Sequence, residues 1–136
     1  MNIGKTVIVP LFPYLLFDVR EQIARTAPQW IGVAVQAHAK YLGYFLGPAK
    51  GEQSWAAPLE KYTLRAAAWG RAGIGLNMSI RAYRIFVVSV LLFVAQLEDP
   101  PPHFDSVEAI ACRRLLPGPW LWITPSVLYH LRSLGY

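Results

Sequence analysis

The chain has 136 residues, 54% of them hydrophobic and 15% charged, which excludes a disordered, solvating segment and is long enough for one buried core. Thirteen Lys and Arg against eight Asp and Glu leave a net charge of +5, an excess that suits polyanionic partners without selecting one. The single cysteine, Cys112, excludes an internal disulfide and a thiolate zinc cluster, so a buried thiol in a reducing, intracellular compartment is expected.

Gly4 to Leu11 reads as a strand, because Val7, Ile8 and Val9 are consecutive and β-branched, as in a strand covered on both faces, and Pro10 ends its pairing. An apolar connection through Pro13 leads to a short amphipathic helix to about Thr26. Asp18 is its expected cap, Val19 and Ile23 lie on its apolar face, Arg20, Glu21 and Arg25 on its exposed face, and Pro28 stops it. Ile31 to Gln36 and Tyr41 to Leu46 follow as two strand-like runs. Their separation by Ala37-His38-Ala39-Lys40 suits a hairpin with His38 at its tip and the second strand on the core. Gly, Pro, Lys and Glu between Gly47 and Ser54 mark a linker.

Only helices are expected beyond it. Ser54 can cap a helix whose apolar positions Trp55, Leu59, Tyr62, Ala66 and Trp69 alternate in spacings of four and three, with Pro58 tolerated in the first turn. Lys61 and Arg65 lie one turn apart on its flank, and Gly70, Gly73 and Gly75 break it. Ser79 opens a second helix to about Leu97, apolar nearly all round from Ile85 to Val94, as for a helix buried among others. Asp105 and Glu108 form a capping-box-like pair for a third helix to about Leu115. Pro117-Gly118-Pro119 is a turn, and Thr124-Pro125 starts a last helix with Val127, Leu128 and Leu131. The fold class is α+β: a short strand and a hairpin, then a bundle of three to four helices. The divisions are 1–50, 51–99 and 100–136.

Several chemistries are disfavoured by what these residues lack. Gly4-Lys5-Thr6 resembles the end of a phosphate loop, but it has no glycine five positions earlier and is followed by a strand-like run, not a helix. Asp18, Glu98, Asp99 and Asp105 sit where caps and turns explain them, and no Asp-Asp pair occurs. His38, His103 and His130 lack the short spacings of zinc ligands. The first residues lack the layout of an export signal, and Ile85 to Ala95 falls short of the ~20 apolar residues of a spanning helix.

Two motifs stand in a fixed order: Asn2-Ile3-Gly4-Lys5-Thr6, then Tyr41-Leu42-Gly43-Tyr44-Phe45-Leu46-Gly47. Together they resemble the end of the palm in reverse transcriptases of non-LTR retrotransposons. There, a strand called motif D precedes a primer-grip hairpin called motif E, and a helical thumb follows. The run from Trp55 to Leu97, with Arg65 and Trp69 and then Tyr83, Val90 and Ala95-Gln96-Leu97, is similar to that thumb, and Leu116 to Trp120 to the segment after it.

The resemblance implies a palm remnant over 1–50, thumb-like helices over 51–99 and a post-thumb segment over 100–136. It implies that Lys5 corresponds to the motif D lysine near the nucleotide's phosphates, and that Tyr41, Leu42 and Gly43 shape the primer grip, the glycine allowing close backbone approach. Lys61, Arg65 and Arg71 would contact an RNA or DNA template-primer backbone. The catalytic aspartates and the divalent metal of full-length relatives belong to palm and fingers regions N-terminal to these motifs. A truncated, catalytically inactive piece is therefore expected, with no cofactor of its own and no membrane partner. Two other readings compete with it: a small membrane-associated protein anchored by the apolar helix 85–95, and an independent soluble nucleic-acid-binding domain.

Overall fold

The computed structural model describes residues 3–12, 15–116, 118 and 122–130. Asn2, Pro13, Pro117, Pro119, Trp120 and Leu131, which entered the sequence expectations, lie outside them. The chain is α+β and divides into two units, 1–54 and 55–136.

The first unit opens with a 3-10 turn, Ile3–Lys5, followed by β1 (Val7–Ile8), α1 (Leu16–Thr26), a 3-10 turn Pro28–Trp30 and β2 (Ala34–Val35). The expected strand over Gly4 to Leu11 shrinks to its two central β-branched residues. Lys5 lies in the turn, and Val7 is 41% exposed, so the strand is not covered on both faces. β2 pairs with β1 in parallel, Val7 opposite Ala34 and Ile8 opposite Val35, and α1 makes the crossover and packs on β2. A parallel pair needs such a crossover, so the helix between the two β-branched runs was the signal for it.

This overturns the expected hairpin of 31–36 with 41–46. The antiparallel hairpin is β3 (Ala39–Tyr41) with β4 (Tyr44–Leu46), so Ala39 and Lys40, read as loop, are strand. A two-residue turn at Leu42-Gly43 replaces the four-residue loop, because residues with φ of 48° and 89° give the twist that joins adjacent antiparallel strands. His38 precedes the hairpin, half-buried, its ring 6.0 Å from that of Phe45. Asp18 sits inside the first turn of α1 and does not cap it, the N-cap being Leu15. Arg25 pairs with Glu21 on the exposed face, and α1 ends at Thr26 before Pro28 as expected.

α2 runs Gln53–Arg71 and carries the four-three stripe inward, with Trp55, Leu59, Tyr62 and Ala66 buried. Gly70 continues this helix. The next helical run starts at Gly75, four residues earlier than Ser79, as α3 (Gly75–Ala82). It passes through a π turn (Tyr83–Val87) and a 3-10 turn (Val88–Val90) into α4 (Leu92–Ala95). The expectation of a helix buried all round is wrong. Ile80, Tyr83, Val87, Leu91 and Val94 enter the core, while Ile85, Phe86, Leu92 and Phe93 stay 45–61% exposed.

α5 (Phe104–Leu115) adds Ala111, Cys112 and Leu115 to the core, and α6 is Pro125–His130. Asp105 does not cap α5: the N-cap is His103, whose carbonyl accepts from the Ser106 hydroxyl, and Glu108 accepts from Tyr83 instead of closing a box.

Burial pushes the Cys112 thiol up from 9.0 to about 11, the Glu108 carboxylate adding to the shift and a hydrogen bond to Tyr83 opposing it. A thiol held protonated in the fold stabilises it fully below pH 9, and that stabilisation is lost as pH rises through 11. The shift corresponds to roughly 3 kcal/mol at most. Urea unfolding of wild type and Cys112→Ala at pH 8.5 and 10.5 is expected to show the smaller loss of stability in the variant; equal losses would remove Cys112 as a cause.

Candidate nucleic-acid interface

The hairpin is the more defined of the two candidate surfaces. Tyr41 and Tyr44 face each other across the turn, and Tyr41 and Leu42 are 64% and 78% exposed. The expectation that Tyr41 to Leu46 lies on the core is therefore corrected: only Tyr44 and Phe45 are half-buried, because a two-stranded ribbon has no further strand or layer to cover its tip.

The two glycines of this motif act differently. A Cβ on Gly43 would meet nothing within 4 Å, so Gly43 serves the turn's positive φ and not a close approach. At Gly47, with φ 122°, a Cβ would fall 2.3 Å from the Ala37 carbonyl oxygen and 2.8 Å from both His38 Cα and Val9 Cγ1. The close backbone approach thus belongs to the second glycine, where β4 ends against the segment after β2.

Ser54 holds the hairpin's other side. Its hydroxyl is buried and accepts from the Phe45 N–H at 3.2 Å, linking β4 to the start of α2 instead of capping the helix, which begins at Gln53. Two lysines passed over in the sequence reading line the hairpin. Lys50 Nζ lies 4.2 Å from the centre of the Tyr44 ring and hydrogen-bonds its hydroxyl, and Lys40 Nζ lies 5.8 Å from the centre of the Phe45 ring. Their signal was the alternation of Lys40, Tyr41, Tyr44, Phe45 and Lys50, a basic and aromatic interleaving suited to phosphates and bases.

The second surface lies on α2. Lys61 and Arg65 are exposed one turn apart, as their spacing requires. Arg65 Nη1 donates to the Phe86 carbonyl oxygen at 2.7 Å, at the π turn where the regular helical ladder is interrupted. The guanidinium is thereby fixed in place while its other N–H groups remain available by their number. Arg71 is also exposed, in the last turn of α2. Six residues of α-helix turn it about 120° away from Arg65, so the structure brings Lys61 and Arg65 together and leaves Arg71 on a different face. Lys5 is exposed in its 3-10 turn.

Among the described residues, no three His, Cys, Asp or Glu converge where they could hold a metal ion. No helix among them is long and apolar enough to cross a membrane. The run 85–95 is divided among three short segments, with Val87, Leu91 and Val94 committed to the core. A scan against protein-family models found no match, and searches of curated proteins and of solved structures also found none.

Proposed function

We propose that these residues correspond to the post-catalytic palm, primer grip and thumb of a retrotransposon-type reverse transcriptase, and that they bind a template-primer backbone without catalysing polymerisation. The observation that carries this reading is the hairpin at Tyr41-Leu42-Gly43. A primer grip needs a rigid two-stranded projection with exposed side chains at its tip, and the Leu42-Gly43 turn and the exposed Tyr41 and Leu42 supply one. Lys5 takes the place of the motif D lysine. Lys61, Arg65 and Arg71 contribute charge that contacts phosphates without reading sequence. No Asp-Asp pair is present to hold the metal ions that polymerisation needs, so that chemistry lies with palm and fingers regions that these residues do not include.

The test is fluorescence anisotropy of a labelled RNA–DNA template-primer with the expressed chain. Three phosphate contacts are expected to weaken binding roughly 40-fold between 50 and 200 mM salt. Lys61→Glu is expected to weaken it uniformly across sequences and to lower the salt slope by about one. Tyr41→Ala is expected to weaken binding to a recessed primer end more than to a blunt duplex. Absence of binding at 50 mM salt would remove the proposal, and nucleotide incorporation by the chain alone would overturn its non-catalytic part.

A further inference from the structure

The helical run from α3 to α4 exposes an apolar ridge that its own unit does not use. Ile85 is 61% exposed, Phe86 45%, Leu92 53% and Phe93 50%, while Val87 and Leu91 between them in sequence, and Val94 just after, are at most 5% exposed. The ridge is held in shape: the Phe86 ring stacks on Trp69 at 5.1 Å and 18°, and the Phe86 carbonyl accepts from Arg65. Scattered single apolar residues are ordinary on a surface, whereas four large apolar residues exposed within nine positions of one helical run point to an interaction site.

The ridge is also self-complementary. Ser89, small and exposed, lies at its centre; Phe86 and Ile85 stand three and four residues before it, Leu92 and Phe93 three and four residues after it. Charge is polarised along the sequence of the same segment, with exposed Arg81 and Arg84 before the apolar residues and half-buried Glu98 and exposed Asp99 after them, just beyond the end of α4.

We propose that this ridge is a homodimer interface, in which two copies pack their 81–99 segments antiparallel about a two-fold axis at Ser89. A two-fold contact places residues before Ser89 against residues after it, so Ile85 and Phe86 of one copy meet Leu92 and Phe93 of the other. Arg81 and Arg84 precede Ser89 by eight and five residues, and Glu98 and Asp99 follow it by nine and ten, so an antiparallel pair directs the arginine end of each copy toward the partner copy's carboxylates. A parallel arrangement would set arginine against arginine and carboxylate against carboxylate, which is unfavourable. An anionic bilayer would attract the arginine end and repel the Asp99 end of the same ridge, so the charge pattern fits a second copy better than a lipid surface. The small side chain of Ser89 lets the two backbones approach at the crossing. The interface rests on the second unit alone and does not depend on nucleic-acid binding.

The experiment is light scattering coupled to size exclusion, together with cysteine cross-linking of the full chain. Wild type is expected to run at twice the chain mass at high concentration and to dissociate on dilution. Ser89→Cys is expected to form a disulfide-linked dimer under mild oxidation, while Ala68→Cys, on the exposed face of α2, is not; buried Cys112 stays silent in both. Arg81→Glu with Arg84→Glu is expected to weaken dimerisation at least tenfold, and adding Asp99→Arg to restore most of it, since the swapped charges again face each other. Circular dichroism checks that each variant keeps its helix content. A monomer at every concentration, equal cross-linking of the two cysteine variants, or a failure of the charge swap to restore association would overturn the proposal. So would a monomer that co-sediments with phosphatidylserine vesicles through Phe93, which would assign the ridge to a bilayer.

Discussion

Replacing Gly70 with alanine is expected to destabilise the helical unit by about 3 kcal/mol, the upper range for overpacking a closed core. A Cβ at this position would stand 1.7 Å from the Arg114 carbonyl oxygen, 2.8 Å from the Arg114 carbonyl carbon and 3.2 Å from Leu115 Cα. These are backbone atoms of α5, which cannot rotate aside as a side-chain tip can. Relief requires moving α2 and α5 apart where Ala66, Ala111 and Leu115 are fully buried, so the cost spreads into the core. Helix propensity acts in the opposite sense, since alanine is favoured over glycine by about 1 kcal/mol in a helix interior. The overpacking term wins because the clash is far inside contact distance. For a unit of this size the melting temperature should fall by roughly 10–20 °C. An unchanged or raised melting temperature would mean that α2 and α5 separate at little cost.

That glycine shows where sequence reading stops. The α2 stripe was legible because spacings of four and three at Trp55, Leu59, Tyr62 and Ala66 follow directly from helical geometry. Gly70 read as a break because glycine is a poor helix residue, yet it is in the helix for want of a Cβ, and the clashing atom lies 44 residues away. The same limit explains the hairpin. Pairing 31–36 with 41–46 satisfied local strand and loop signals, but β2 is taken by β1 in a parallel pair, a long-range choice that local patterning does not record. The apolar run 85–94 was visible as a run. Its division into a buried and an exposed face was hidden, because the π and 3-10 turns break the regular period by which a face is read. In the candidate interface, the adjacency of Lys61 and Arg65 was legible from spacing alone, whereas the Arg65 bond to Phe86 and the Ser54 bond to Phe45 depend on the folded chain.

The second large effect is expected at Tyr83. Tyr62 and Tyr83 are at most 2% exposed, their rings meet edge to face at 6.3 Å, and their hydroxyl oxygens are 3.0 Å apart. Tyr83 donates to the Glu108 carboxylate at 3.2 Å, so its proton is committed and Tyr62 must donate to the Tyr83 oxygen. The chain of hydrogen bonds therefore has a direction, from α2 through the first residue of the π turn to α5. Tyr83→Phe removes the acceptor for Tyr62 and the donor to Glu108 in one step. Loss of bonds to buried polar groups costs about 1–3 kcal/mol, and the carboxylate places this substitution toward the top of that range. Tyr62→Phe deletes only the first donor and leaves the Tyr83–Glu108 bond in place, so about 1 kcal/mol is expected. Both variants keep the aromatic ring, and the difference between them isolates the hydroxyls from the packing. The double variant should cost less than the sum of the two, because the Tyr62–Tyr83 bond is lost in each single variant and can be lost only once. Chemical denaturation of the four proteins at neutral pH measures the cycle. Strict additivity would show that the two hydroxyls act independently and not through a shared hydrogen-bond chain, and no loss in either variant would leave the contribution to the rings.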